Sequence, residues 1–156
     1  MNTAREALYN PGTPQFLYWQ CREAGLAALE TWESFSGAFT QWQGGRRNLR
    51  LLQDVGEDLN AFYDRQSFAF FHQLIQNKTY FSGASTDVVA HELGHGLLDA
   101  IRPQLWSSPF LESGALHEAF GDCIAVLTAL DDLDTRTRLL ASTKTLRRAN
   151  FVEATA

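Results

Sequence analysis

The sequence predicts an α+β fold in which a small mixed or antiparallel sheet packs against helices. Three observations lead to this prediction: a long helical pattern comes first, short apolar runs separated by turn residues follow over 48–81, and helical patterns fill the rest. The composition is that of a globular domain, with 45% hydrophobic and 20% charged residues among 156. A disordered, collagenous or coiled-coil chain is therefore excluded.

The first elements are a lead-in segment over 1–14 and a helix over about 15–35. Asn-Pro-Gly at 10–12 and Pro14 interrupt regular structure in the lead-in. Apolar residues then recur near the helical period, and Ser36-Gly37 ends the helix. We expect one domain over 15–149 and a C-terminal tail over 150–156.

Short apolar runs between 48 and 81 predict a single small sheet. Its candidate strands are 49–52, 59–63, 68–71 and 78–81, the third of which is aromatic. A polar turn over 64–67 separates the second strand from the third.

Three helices complete the predicted fold. Ser85, Thr86 and Asp87 are typical of a helix N-terminus, and the helix that they start should end near Ile101, before Pro103. A second helix is predicted over 113–130 and a last one over 135–148, separated by an aspartate-rich break.

Charge and hydropathy exclude several classes of protein. Thirteen basic and eighteen acidic residues leave a net charge of −5, which is unsuited to binding a phosphate backbone, so no nucleic-acid partner is expected. No segment approaches the roughly 20 apolar residues of a membrane span. The first ten residues lack the apolar core of a signal peptide, and a cytoplasmic location is the default expectation. Cys21 and Cys123 are predicted to be core thiols, with one disulfide left open.

The motif that indicates chemistry is His-Glu-Leu-Gly-His over 91–95. Two histidines four residues apart on a helix lie about 40° from each other around its axis, so both imidazoles can bind one zinc ion. Glu92 is rotated away from that pair and would face a water at the metal, as a general base must. The alternative is a chance match on an amphipathic helix. Gly94 and Gly96 oppose it, because two glycines within a helix indicate close packing there.

The third ligand decides the class of zinc site. A metzincin needs Gly at 98 and His at 101, and these positions are Leu98 and Ile101. A carboxylate from a separate helix remains, and Glu118 follows His95 by a suitable interval. Asp122 lies one turn after Glu118 and can accept the second ring N–H of a ligand histidine.

Three segments also carry a family resemblance. Residues 87–95 resemble the active-site helix of the thermolysin-like zinc peptidases, the gluzincins, and 113–122 are similar to that family's glutamate-bearing helix. Residues 60–63 resemble its upstream edge strand. The resemblance covers about 15–130 and implies a zincin-like fold, with the sheet packed on a backing helix, an active-site helix and a glutamate helix.

The resemblance implies a role for each matching residue. His91, His95 and Glu118 would bind zinc, Glu92 would be the general base, and Asp122 would orient His91. Two further residues would contact the main chain of a peptide or protein substrate, namely Asn60 and Ala61. The implied activity is hydrolysis of peptide bonds by a zinc metalloendopeptidase. Asp87 matches a calcium-binding position, but the acidic residues that complete such a site are not recognisable, so calcium has little support.

Two departures from the family leave alternatives open. No tyrosine follows Tyr80 and no histidine follows His117, whereas the family takes an oxyanion donor from each type, the histidine from a C-terminal subdomain. By the resemblance, a C-terminal subdomain that supplies this histidine would be a missing partner of the predicted domain. The alternatives are a zinc-binding structural or interaction domain and an aminopeptidase, for which no anchor of a free amine is recognisable. His117 itself is predicted to be a helix residue without a metal role.

Overall fold

Four α-helices frame the fold in the computed structural model, which describes residues 4–143 and 148–153. Their bounds, with the 3₁₀ turns left aside, are Pro14–Ser36 (α1), Thr86–Ile101 (α2), Leu111–Asp131 (α3) and Leu133–Thr143 (α4). With the strands between α1 and α2, they confirm the predicted α+β class. Residues 144–147, which belong to the predicted last helix, lie outside the described residues.

The strands form two sheets rather than the single sheet predicted. The first contains β1 (Arg50–Leu52), β2 (Ala61–Tyr63) and β3 (Ser67–Phe70) in the order β1-β3-β2, with β1 parallel and β2 antiparallel to β3. The second is a hairpin of β4 (His72–Ile75) and β5 (Lys78–Phe81). The sequence analysis did not predict β4.

The chain leaves the first sheet at Phe71, and a serine from a distant turn determines this break. The Phe71 N–H donates to Ser82 Oγ, and the Ser82 N–H donates to the Phe71 carbonyl, both at 2.9 Å. Gln76 and Asn77 then turn the hairpin with φ angles of 50° and 63°. Two consecutive left-handed residues are the geometry of a tight hairpin turn, and here no glycine marks it in the sequence.

The helices start within two residues of their predicted positions, and Pro14, which was assigned to the lead-in, is the first residue of α1. Thr13 caps α1, since its Oγ1 accepts the Phe16 N–H at 3.2 Å, and Pro14 occupies the first turn. Helix α2 covers the predicted range, and Pro103 begins a separate short turn. Helices α3 and α4 each begin two residues before their predicted starts.

The core lies between α1, α2, α3 and the three-stranded sheet. Its fully buried side chains include Phe70, Leu97, Ile124 and Cys21. Burial raises the pKa of the Cys21 thiol to about 12. Cys123 is exposed and both cysteines are free thiols, so its predicted place in the core is wrong. The helical period directs Cys123 to the outer face of α3.

The described part of the predicted tail is structured. Phe151–Glu153 forms a 3₁₀ turn against α3, and Val152 is buried. The remaining tail residues, 154–156, lie outside the described residues, as do residues 1–3 of the lead-in. Among the helices described, none combines the length and the apolar character that crossing a bilayer requires.

Helices α2 and α3 approach each other at a pair of glycines. A Cβ on Gly94 would lie 2.7 Å from the Cα of Gly121, and a Cβ on Gly121 would lie 2.9 Å from His91 Nδ1. Gly96 faces the rings of Trp42 and Phe68 in the same way. The expectation of close packing at both glycines of the motif is therefore confirmed. The contact brings the middle of α3 onto the histidine face of α2.

Candidate metal centre

A cavity of about 600 Å³ lies between the start of β2, the N-terminal half of α2 and the middle of α3. It contains every site residue that the sequence analysis selected. The residues lining it are Leu59, Asn60, Ala61, Phe62, Ser82, Val88, His91, Glu92, His95, Glu118 and Asp122. The residues selected from the sequence come from three separate segments of the chain and meet at one site.

The two motif histidines face this cavity from successive turns of α2. Their ring centroids are 4.7 Å apart and the rings are nearly perpendicular. Donor atoms of His91, Glu92 and His95 lie within 4.8 Å of one another, close enough to hold one metal ion. Distance alone therefore leaves open whether a carboxylate ligand comes from Glu92 or from elsewhere.

Glu118 on α3 faces both histidines. One of its carboxylate oxygens lies 3.4 Å from His91 Nε2 and the other 3.7 Å from His95 Nε2. Both separations exceed the 2.7–3.2 Å of an ordinary hydrogen bond. They are near the roughly 3.3–3.6 Å between two ligands of a tetrahedral zinc ion with bonds of about 2.0–2.2 Å. The spacing suits three ligands around an ion better than a direct hydrogen bond.

Asp122 orients His91 through the other ring nitrogen. Its Oδ1 lies 2.9 Å from His91 Nδ1, a hydrogen-bonding distance. A carboxylate at Nδ1 favours the tautomer that carries its proton there. The lone pair of Nε2 is then free to bind a metal, as is usual for a ligand histidine paired with a carboxylate.

His95 is a neutral imidazole at neutral pH. Burial lowers its pKa from 6.5 to about 4, and the nearby His91 acts in the same direction. A neutral imidazole has a lone pair for a metal, whereas an imidazolium has none. The contact between His95 and Glu118 is therefore not an ion pair near pH 7.

Glu92 is buried, with 6% of its surface exposed, although it lines the cavity. Its Oε2 has no hydrogen-bond partner among the described residues. Burial raises the pKa of this carboxyl to about 7, and the negative charge of Glu118 adds to the rise, while His91 and a hydrogen bond to the Tyr63 backbone oppose it. An unpartnered carboxyl oxygen with a near-neutral pKa is typical of a general base.

Asn60 and Ala61 lie at the cavity rim where β2 begins. Strand β2 pairs with β3 along one edge and, within the described ranges, with no strand along the other. Asn60 Oδ1 accepts the Ala61 N–H at 2.8 Å, which fixes the turn into the strand. The structure thus places both residues beside the histidines at an open edge.

The sequence analysis missed an ion pair that joins α2 to the sheet beside the site. Asp99 on α2 is fully buried and accepts two hydrogen bonds from the Arg65 guanidinium, at 2.6 and 3.0 Å, and one from the Tyr63 hydroxyl at 3.0 Å. These bonds tie the β2–β3 turn to the end of α2. An aspartate within the apolar run 97–101 was the available signal, since a buried carboxylate needs partners.

His117 lies in α3, as predicted, but the sequence analysis did not predict its burial. It is 7% exposed, and neither ring nitrogen has a partner among the described residues. Its ring centroid lies 5.7 Å from that of His95 and 5.7 Å from that of Trp106. Burial lowers its pKa, so the imidazole is neutral at neutral pH.

Asp87 lies in the first turn of α2, where the Ser85 hydroxyl donates to its carboxylate. It belongs to no group of three or more possible metal donors within residues 4–143 and 148–153. Its placement agrees with the role of a first-turn helix residue.

Comparisons of the chain with protein-family models, with curated proteins and with solved structures find no match. A proposal on function therefore depends on the geometry of the site itself.

Proposed function

We propose that this chain is a zinc-dependent peptidase domain with a zincin-like arrangement of helices. In that arrangement α1 is the backing helix, α2 the active-site helix and α3 the glutamate helix. The observation that carries the proposal is the position of Glu118, whose oxygens lie 3.4 and 3.7 Å from the Nε2 atoms of His91 and His95.

The chemistry of the donors fits zinc. Two neutral imidazoles and one carboxylate are a common ligand set of catalytic zinc and leave a coordination position open. The unpartnered Oε2 of Glu92 lies in the same cavity. Glu92 would therefore adjoin the ion as a base, and Glu118 would supply the third ligand.

Zinc bound there would supply Lewis-acid chemistry, lowering the pKa of a coordinated water to about 7 and polarising a carbonyl oxygen. Glu92 would accept the proton of the attacking water at Oε2 and pass it to the leaving amine. Burial raises the pKa of this carboxyl to about 7 in the metal-free site, in the range expected of a general base. Asp122 would keep the proton of His91 on Nδ1. The open edge at Asn60 and Ala61 would bind the backbone of an extended peptide, as an unpaired strand edge can.

The alternative is a domain that binds zinc for stability or interaction and does not hydrolyse peptides. Such a site has no use for a buried carboxylate beside the metal, and burying Glu92 without a partner for Oε2 costs stability. The position of Glu92 therefore favours the enzyme over the structural domain.

The test compares zinc-dependent cleavage of two kinds of substrate. One is an internally quenched peptide with a blocked N-terminus, and the other carries a free N-terminal amine next to the bond to be cleaved. We expect cleavage of the blocked peptides by the zinc-loaded chain, and a loss of about 10²–10⁴-fold in Glu92→Gln. The variant should keep the same zinc stoichiometry. Equal rates for Glu92→Gln and the parent chain would contradict the assignment. Cleavage confined to substrates with a free N-terminal amine would indicate an aminopeptidase. Zinc binding without any turnover would indicate a structural domain.

A further inference from the structure

A second cavity, of about 390 Å³, lies on the side of α3 where His117 is buried. It is largely apolar, and none of its lining residues is a carboxylate, a lysine or an arginine. They are Leu105, Trp106, Ser108, Pro109, Phe110, Leu111, Gly114 and His117. The lining favours an uncharged, mainly apolar ligand.

His117 is a buried polar side chain of this cavity that has no partner among the described residues. Both of its ring nitrogens are buried without a hydrogen bond to any described residue, whereas the Ser108 hydroxyl is hydrogen-bonded to that of Ser113 at 2.7 Å. A buried polar group without a partner costs roughly 1–3 kcal/mol, so a ligand that supplies one gains affinity. A neutral imidazole offers one donor and one acceptor, and a hydroxyl group can pair with either of them.

Trp106 covers the imidazole from the solvent side. Its ring meets that of His117 edge-on and stands 40% exposed, with the Arg65 guanidinium 5.2 Å from its centroid. Because both ring nitrogens of His117 are buried, a ligand hydroxyl needs a neighbouring side chain such as Trp106 to shift before it can reach them, and the indole offers an aromatic surface for packing. Phe110, which is 69% exposed, adds a second aromatic ring at the rim.

The second cavity adjoins the candidate metal centre. The rings of His95, which lines the first cavity, and His117, which lines the second, have centroids 5.7 Å apart. An extended peptide advances about 3.3 Å per residue, so a peptide bound at the first cavity needs only a few residues to reach the second.

We propose that this second cavity binds a tyrosine side chain of the peptide substrate, with His117 as the hydrogen-bonding partner of the phenol. The assignment to a substrate residue rests on the proposed peptidase function. The phenol ring matches the apolar and aromatic lining, and its hydroxyl can either donate to or accept from a ring nitrogen of His117. Phenylalanine has the same ring and leaves both nitrogens of His117 without partners.

The space at Gly114 provides a blocking variant. A Cβ built on Gly114 meets no atom within 4 Å, and this glycine lies in α3 at the cavity wall. Gly114→Leu places a larger side chain at the cavity wall with no clash at its Cβ, and Gly114→Ala is its matched control. Both replace a helical glycine by a better helix former, so the fold should be kept.

The first measurement is binding, which does not require turnover. N-acetyl-tyrosinamide and N-acetyl-phenylalaninamide are titrated into the metal-free chain while the indole N–H resonance of Trp106 is followed by NMR, assigned with Trp106→Phe. We expect the tyrosine amide to bind at least about tenfold more tightly than the phenylalanine amide. Gly114→Leu should abolish binding and Gly114→Ala should retain it. His117→Phe should reduce the preference to within about twofold.

The second measurement is kcat/KM for peptide pairs that differ only in tyrosine or phenylalanine two or three residues from the cleaved bond. We expect a preference for tyrosine that Gly114→Leu and His117→Phe remove. Equal binding of the two amides, or binding unaffected by Gly114→Leu, would overturn the inference. Selective binding of the tyrosine amide without any peptide cleavage would keep the cavity assignment and contradict the peptidase function.

Discussion

Gly94 on α2 and Gly121 on α3 lie so close together that a Cβ on Gly94 would stand 2.7 Å from the Cα of Gly121. This contact sets the distance between the two helices at the candidate metal centre. His91 lies one turn before Gly94, and Glu118 one turn before Gly121. Two residues without side chains thus allow a carboxylate of α3 to reach the imidazoles of α2.

Gly94→Ala should separate these helices and weaken zinc binding. The clash is with backbone, which cannot turn aside, and overpacking typically costs about 1–3 kcal/mol. Alanine's better helix propensity offsets only about 1 kcal/mol of that cost. We expect a lower melting temperature and a loss of zinc affinity of roughly tenfold or more, as for a lost contact to a ligand. Chelator competition measures the affinity. Gly114→Ala is the control, and equal effects of the two variants would contradict the role of the contact.

Asp122→Asn should weaken zinc binding while leaving the fold intact. An amide can accept the Nδ1 proton of His91 but carries no charge to raise the basicity of the ring. Changes of this kind cost roughly 10–100-fold in metal affinity. Competition with a chromophoric chelator measures it, with thermal unfolding of the metal-free chain as the control for stability. Unchanged affinity would show that Asp122 does not orient His91.

Arg65→Met should destabilise the fold strongly. It leaves the fully buried Asp99 carboxylate with the Tyr63 hydroxyl as its remaining partner, and breaking a buried pair costs about 3–5 kcal/mol. Denaturant unfolding measures the loss. Arg22→Met is the matched control, because the Arg22–Glu23 pair is exposed and such pairs contribute about 0–1 kcal/mol. Similar losses in both variants would show that the Asp99 pair is not a structural anchor.

The turn before β3 should make the stability of the fold depend on pH in the acid range. Burial raises the pKa of Asp64, but hydrogen bonds from the Gln66 and Ser67 backbone and from the Ser67 hydroxyl outweigh it, and the pKa is lowered below 3.8. The carboxylate thus stabilises the fold above the unfolded pKa, and this contribution is lost as pH falls through the lower folded value.

Asp64→Asn tests this linkage. We expect the free energy of unfolding to fall by about 0.5–1 kcal/mol at pH 7, a figure that already allows for solvent screening. The difference from the parent chain should be smaller near pH 2. Urea unfolding at both pH values measures it. A difference that stays constant or grows on acidification would contradict the sign.

The helices of the site were predictable because their signals are local. The spacing of His91 and His95 places them on one face of any helix, and Ser85 with Pro103 brackets that helix. Asp122 follows Glu118 by one turn, so both had to face the same neighbour. The glycines at 94 and 96 indicated close approach without identifying what approaches them.

The features that were missed depend on contacts between distant segments. Strand β4 exists because Ser82 holds Phe71 out of the first sheet, eleven residues away in sequence. Asp99 pairs with Arg65, which is thirty-four residues away in the sequence, and no periodic pattern in the sequence predicts such a pair. His117 is buried because the turn at Trp106 folds over it, which a helical pattern alone does not indicate.

The central claim is that His91, His95 and Glu118 bind one zinc ion. Crystals of the chain loaded with one equivalent of zinc, measured on both sides of the zinc absorption edge, test it most directly. We expect one anomalous peak per chain, about 2.0–2.1 Å from the Nε2 atoms of His91 and His95 and about 2.0–2.2 Å from a carboxylate oxygen of Glu118. Glu92 Oε2 should lie near the peak without bonding to it. A peak bonded to Glu92 in place of Glu118, or bound elsewhere on the chain, would contradict the account.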